Sequence, residues 1–122
     1  MTEHSPLVDR TIACWNEGDA ARRRDLVAAT FTADASYCDP ILQGEGHAGI
    51  DALIAAAQQH FPGLRFSRRG GADAHHDRLR FAWDLGPAGA AAIAGGTDMA
   101  VVAPDGRLSA VTGFIDFAPQ GG

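Results

Sequence analysis

The chain has 122 residues, 46% of them hydrophobic and 20% charged, with a formal net charge of −5. One domain of this length can bury roughly two-thirds of its unfolded surface, and an acidic balance without a basic stripe excludes a nucleic-acid footprint. No apolar run approaches the length of a membrane-spanning helix, the start of the chain carries an early acid and no apolar leader core, and two cysteines, Cys14 and Cys38, are too few for a disulfide scaffold. Together these point to a cytoplasmic protein in which both cysteines serve as small buried hydrophobes.

Ser5-Pro6 reads as a helix start, with Ser5 as N-cap and proline at the first helical position. Leu7, Val8, Thr11, Ile12 and Trp15 then share one helical stripe, which Asn16-Glu17-Gly18 ends. Asp19 can cap a second helix with the stripe Leu26, Val27, Thr30 and Phe31, and its Arg22-Arg23-Arg24 run reads as a solvated face. Residues 33–39 alternate as a short strand, with Ala35, Tyr37 and Asp39 on one face and Ser36 and Cys38 on the other. Residues 42–47 read as loop. Ile50, Leu53, Ile54, Ala57 and Phe61 mark a third helix, stopped by Pro62-Gly63.

The period then changes from 3.6 to 2. Residues 64–69 can form a strand, and 77–85 alternate plainly, with Leu79, Phe81, Trp83 and Leu85 against Arg78, Arg80, Ala82 and Asp84. Gly86-Pro87-Ala88-Gly89 is a turn, residues 90–103 a strand of small side chains, Pro104-Asp105-Gly106 a hairpin signal, and 107–117 the last strand, followed by a tail at 119–122. The order α-α-β-α-β-β-β-β, helices first and meandering strands later, predicts a single α+β domain over 1–122 with a mostly antiparallel sheet.

Two carboxylates sit against the grain of their surroundings. Asp39 ends the first strand before a proline, where aspartate commonly makes a turn. Asp98 stands in the middle of the most apolar strand, among Ala94, Gly96, Ala100 and Val102 on its own face. A mid-strand acid is costly to bury without a partner. Either it faces outward and pairs with Arg78 or Arg80, or it enters a pocket walled by Phe81, Trp83 and Leu85. His75 and His76 lack metal-ligand spacing, and neither a metal nor a cofactor is implied.

Trp15-Asn16-Glu17-Gly18-Asp19, the segment Phe31 to Pro40 ending in Tyr37-Cys38-Asp39-Pro40, and the segment Gly96 to Leu108 resemble the nuclear transport factor 2-like superfamily. Within it the chain is similar to the SnoaL-like polyketide cyclase and ketosteroid isomerase branch. The resemblance implies a cone: a curved sheet wrapped around three N-terminal helices, a cavity between them, and homodimers formed through the outer face of the sheet. It also implies that Asp39 shuttles a proton and that Asp98, kept protonated, supports an oxyanion. Trp15, Tyr37, Phe81, Trp83 and Leu85 would hold the substrate. The expected activity is that of an isomerase, cyclase or lyase acting without a cofactor on a small apolar carbonyl compound. A non-catalytic binding or dimerisation module of the same fold is the alternative. In the isomerases a tyrosine of the first helix completes the oxyanion site, and its position here is Thr11. An epoxide hydrolase arrangement, for which Arg80, Asp98 and Asp116 supply the residue types, ranks lower because strand parity turns Arg80 away from the pocket.

Overall fold

Local chemistry sets the helix starts. In the computed structural model, which describes residues 4–119, α1 (Ser5–Asn16) begins at the expected cap residue itself, one position earlier than the sequence suggests. His4 occupies the N-cap without a side-chain bond, and Pro6 lies in the first turn, where its missing N–H costs nothing. α2 (Ala20–Thr30) starts as the sequence suggests: Asp19 Oδ2 accepts a hydrogen bond from the Arg22 backbone N–H at 2.9 Å. Phe31, expected on the α2 stripe, instead opens β1 (Phe31–Cys38) and is fully buried there. An aromatic residue followed by threonine suits a strand better than a last helical turn.

The remaining elements are β2 (Gln43–Glu45), α3 (Gly46–His60), β3 (Leu64–His75), β4 (Arg78–Pro87), β5 (Ala94–Val102) and β6 (Leu108–Phe117). The tail expected at 119–122 lies, beyond Pro119, outside the described residues. β2 corrects the expected loop. It is a three-residue edge strand, antiparallel to β1, with Tyr37 opposite Gly44. Glycine is required at that point: a Cβ on Gly44 would come within 2.8 Å of Leu53 Cδ2 and 3.0 Å of the Gly49 carbonyl oxygen, so only a bare backbone lets α3 pack on this edge. β5 begins later than expected because residues 88–93 fold back over the end of β4. There Ile93 N–H donates to Leu85 O at 2.8 Å, and a Cβ on Gly86 would meet Ala92 Cα at 2.9 Å. The Pro104-Asp105-Gly106 hairpin forms as expected, with Gly106 at φ +89°.

The sheet runs β2-β1-β6-β5-β4-β3, with β1 parallel to β6 and every other pair antiparallel. Register shifts interrupt β1/β6, β3/β4 and β5/β6. Such irregularities bend strands and raise their twist, and the sheet curves around the three helices as expected. Leu79, Phe81, Ala100 and Val111 on its concave side pack with Val8, Val27, Ile50 and Ile54 of the helices into one core. No helix among the described residues is long and apolar enough to cross a membrane.

Two sequence expectations fail on burial. Cys14 is buried, its Sγ 3.5 Å from Thr30 Oγ1, but Cys38 is exposed, because it occupies the outward phase of β1 near its end. Of the arginine run, only Arg22 and Arg24 are solvated; Arg23 is 7% exposed. It lies on the helical phase of Val27 and Thr30, so it points inward. Its Nε donates to Asp51 Oδ1 of α3 at 2.7 Å and its Nη1 to Glu17 O at 3.3 Å, while Gln58 Nε2 donates to the same Glu17 carbonyl at 2.8 Å. This knot ties the α1–α2 link to α3. Replacing Arg23 with Met strands the Asp51 carboxylate and is expected to cost about 3 kcal/mol in urea unfolding; an unchanged midpoint would show that the knot contributes nothing.

Candidate functional site

A cavity of about 380 Å³ opens between the helices and the concave face of the sheet, and its lining is almost entirely apolar. All seven residues singled out in the sequence reach it: Trp15 from α1, Tyr37 and Asp39 from the end of β1, Phe81, Trp83 and Leu85 from β4, and Asp98 from β5. Period-2 alternation explains the β4 set, since Phe81, Trp83 and Leu85 share one face of their strand. Four rings form a wall in sequence of contact. Tyr37 meets Trp15 at 5.4 Å between centroids, Trp15 meets Phe66 at 5.4 Å, and Phe66 meets Trp83 at 5.5 Å. Phe66 was not legible as a lining residue, because the β3 stretch around it carries no clear apolar phase.

Asp98 closes the wall. It is 4% exposed, and its Oδ1 accepts a hydrogen bond from Trp83 Nε1–H at 3.0 Å. The outward-facing alternative does not occur: Arg78 pairs with Asp77 and Arg80 with Asp73. Among the described residues no arginine or lysine forms an ion pair with the buried acid. Burial therefore pushes its pKa up to about 7; the Trp83 hydrogen bond opposes this and the Asp39 charge adds to it. At neutral pH such a carboxyl is poised between donor and acceptor.

Asp39 is both a turn-maker and a pocket group. Its Oδ1 accepts from the backbone N–H groups of Ile41 and Leu42, each at 2.7 Å, which fastens the turn after Pro40. Its Oδ2 accepts from the Tyr37 hydroxyl at 2.6 Å. The phenol is itself raised by burial, then by the Asp98 and Asp39 charges, so it holds its proton and gives the hydrogen bond to Asp39. The three groups converge on one bare spot. A Cβ on Gly113, the β6 residue opposite Asp98, would lie 3.0 Å from Asp98 Oδ1, 3.2 Å from Asp39 Cβ and 3.4 Å from Tyr37 Oη. Its only sequence signal is a glycine inside a strand, the usual mark of a close approach.

Thr11, at the position of the isomerase tyrosine, also lines the cavity, but its Oγ1 donates to Leu7 O of its own helix at 2.8 Å. Arg80 and Asp116 lie away from Asp98. Arg80 is exposed, and Asp116 bonds Arg69 at 3.2 Å and Thr97 Oγ1 at 2.8 Å on the convex face of the sheet. The three residues therefore do not surround a common water. Among the described residues no group of three or more His, Cys, Asp or Glu side chains could hold a metal ion.

No protein-family model matches the chain, and no curated protein does. Solved structures do. A proposed isomerase of the SnoaL-like family from Agrobacterium tumefaciens is 43% identical, with 95% of this chain and 99% of that one covered and a TM-score of 0.90. A SnoaL-like protein of unknown function from Burkholderia thailandensis is 16% identical over 94% of this chain and 98% of that one, with a TM-score of 0.72. A proposed SnoaL-like polyketide cyclase from Jannaschia is 19% identical over 95% and 92%, with a TM-score of 0.69. The last two share the fold.

The buried acid makes stability depend on pH. Asp98 titrates near 7 in the fold against 3.8 as the ordinary value, so the folded state holds its proton more tightly than the unfolded chain does. Its contribution is complete below about pH 4 and is lost as pH rises toward 7, by on the order of 4 kcal/mol. Asp98→Asn, neutral at every pH, is expected to remove most of that decline in denaturant melts between pH 4 and 8. An identical decline in the variant would place the titration elsewhere.

Proposed function

The chain belongs to the SnoaL-like family, and we propose from that premise that it catalyses proton transfer, without a cofactor, on a small apolar carbonyl compound, as an isomerase, cyclase or lyase does. The observation that carries this reading is the pairing of environments. Asp98 is a nearly dry acid raised to about 7, while Asp39 is held as an acceptor by three donors, and both border the Gly113 gap in one apolar cavity. Two carboxyls kept apart in this way divide into acid and base.

A carbonyl oxygen placed at Asp98 receives a hydrogen bond from the protonated carboxyl. The neighbouring C–H bond breaks toward Asp39; its proton moves to Oδ2, and its electron pair moves through the enolate to the oxygen. Return of the proton to another carbon completes an isomerisation, and attack by the enolate carbon on a second carbonyl, whose oxygen takes the proton back from Asp39 as its C=O π bond opens, completes a cyclisation. A donor that strengthens as the oxyanion forms contributes about 3–4 kcal/mol. Tyr37 supports Asp39 rather than the oxyanion, because its proton already points at Oδ2.

One observation favours a second reading. Thr11 spends its hydroxyl on Leu7 O, so the helix position that carries the oxyanion tyrosine in the isomerases brings no free hydroxyl to the cavity. A module that binds an apolar ligand without turning it over fits that shortage.

Exchange of α-protons of 2-tetralone in D2O, followed by NMR, separates the two. We expect Asp39→Asn, which cannot take up the proton, to reduce exchange at least 100-fold. Asp98→Asn, which keeps an N–H donor, should retain more activity than Asp98→Leu. Exchange should also fall as pH rises through about 7, where Asp98 loses its proton. Full activity of Asp39→Asn contradicts the proton-transfer assignment, and tight binding of the ketone with no exchange supports the binding module.

The same family membership supports self-association through the convex face of the sheet, where Met99 and Phe114 are about half exposed. Phe114→Glu is expected to convert a dimer to monomer in sedimentation; a monomeric unaltered chain contradicts this.

A further inference from the structure

The cavity does not end at its acids. Four large apolar side chains line it and yet stand in solvent: Ile41 is 75% exposed, and Phe61, Ile93 and Ile115 lie between 36% and 42%. They come from four separate places, the Asp39 turn, the C-cap of α3, the irregular link between β4 and β5, and β6. Folding asks for none of the first three. Turns and links normally carry polar residues or glycine, and Ile41 keeps most of its surface in water although a polar residue could make the same backbone hydrogen bond to Asp39. Exposed apolar groups gathered round one opening mark a contact surface. The opposite end of the cavity is dry, with Asp98 4% exposed.

Resting on the proton-transfer reading only for where the head group sits, we infer that this rim is a second subsite, and that the ligand is an elongated carbonyl compound: a compact head at Asp39 and Asp98 and an unbranched apolar tail lying across Ile41, Phe61, Ile93 and Ile115. The cavity, at about 380 Å³, is near the small end of ligand pockets, and these four side chains border its open side, so a tail extending from a head at the acids runs along them. Among the described residues no lysine or arginine lines the cavity or the rim, and His60 is the one basic side chain there. An anionic head is therefore disfavoured beside the acids, and a neutral ketone suits the site. Ile41 links the two subsites directly. Its backbone N–H holds Asp39 Oδ1 at 2.7 Å while its side chain forms the lip.

The test is a homologous series, 2-hexanone to 2-undecanone, titrated against the intrinsic fluorescence of the cavity-lining Trp15 and Trp83. The expected result is a gain in affinity of about twofold for each methylene that reaches the rim, half the effect of complete burial because one side of the tail stays wet. The double variant Phe61→Ser, Ile93→Ser, with both changes at exposed rim positions, should bind 2-undecanone about tenfold more weakly and 2-hexanone no more than about twofold more weakly. Affinity that stops rising once the cavity is filled, equal binding of 2-undecanone by the double variant, or no binding of any member overturns the inference. Chain-length dependence in an unaltered protein that exchanges no α-protons supports the rim subsite while removing the catalytic assignment.

Discussion

A carboxyl group buried without a cation is the constraint around which the rest of the site is arranged. Taking Asp98 out of water would be prohibitive if the group had to stay ionised, and the fold resolves this by letting it keep its proton. One indole N–H, from Trp83, accompanies it, and no guanidinium comes near. That choice dictates much of the surrounding sequence. The neighbours on its face of β5 are small, the opposite residue on β6 is Gly113, and the wall across the cavity is a run of four aromatic rings. Small residues give the acid room, and the rings keep the room dry.

Asp39 meets the opposite condition a few ångströms away. Backbone N–H groups of its own turn and the Tyr37 hydroxyl surround it with donors, all arranged for an acceptor. The turn role and the pocket role are not in competition, because Oδ1 fastens the turn and Oδ2 faces Tyr37. Fold and site are therefore coupled through one side chain. The same economy appears at Ile41, whose backbone holds the carboxylate while its side chain borders the cavity mouth.

Much of this was legible from residue order. Helical spacing located α1 and α3, period-2 alternation put Phe81, Trp83 and Leu85 on a single face, and an acid in an apolar strand drew attention to Asp98. The direction of Asp98 was not legible, since Arg78 and Arg80 on the adjoining strand offered an equally plausible pairing until register and face were known. β2 escaped notice because Gln43-Gly44-Glu45 has no strand propensity; it pairs only because Gly44 allows α3 to lie against it. Arg23 looked like part of a charged run, and its buried role depends on Asp51, 28 residues later. Gly113 and Phe66 gain meaning only from what faces them across the sheet. Contacts of this kind belong to tertiary structure, and local pattern does not contain them.

The central claim is that Asp98 is an unpaired acid in a dry pocket, keeping its proton up to about pH 7, not one half of an ion pair. The most direct measurement is a 13C NMR titration of its side-chain carboxyl, assigned by difference with Asp98→Asn. The account predicts a midpoint near 7. A midpoint near or below the ordinary aspartate value of about 4 would mean that the carboxylate is charged and solvated or paired, and would contradict it.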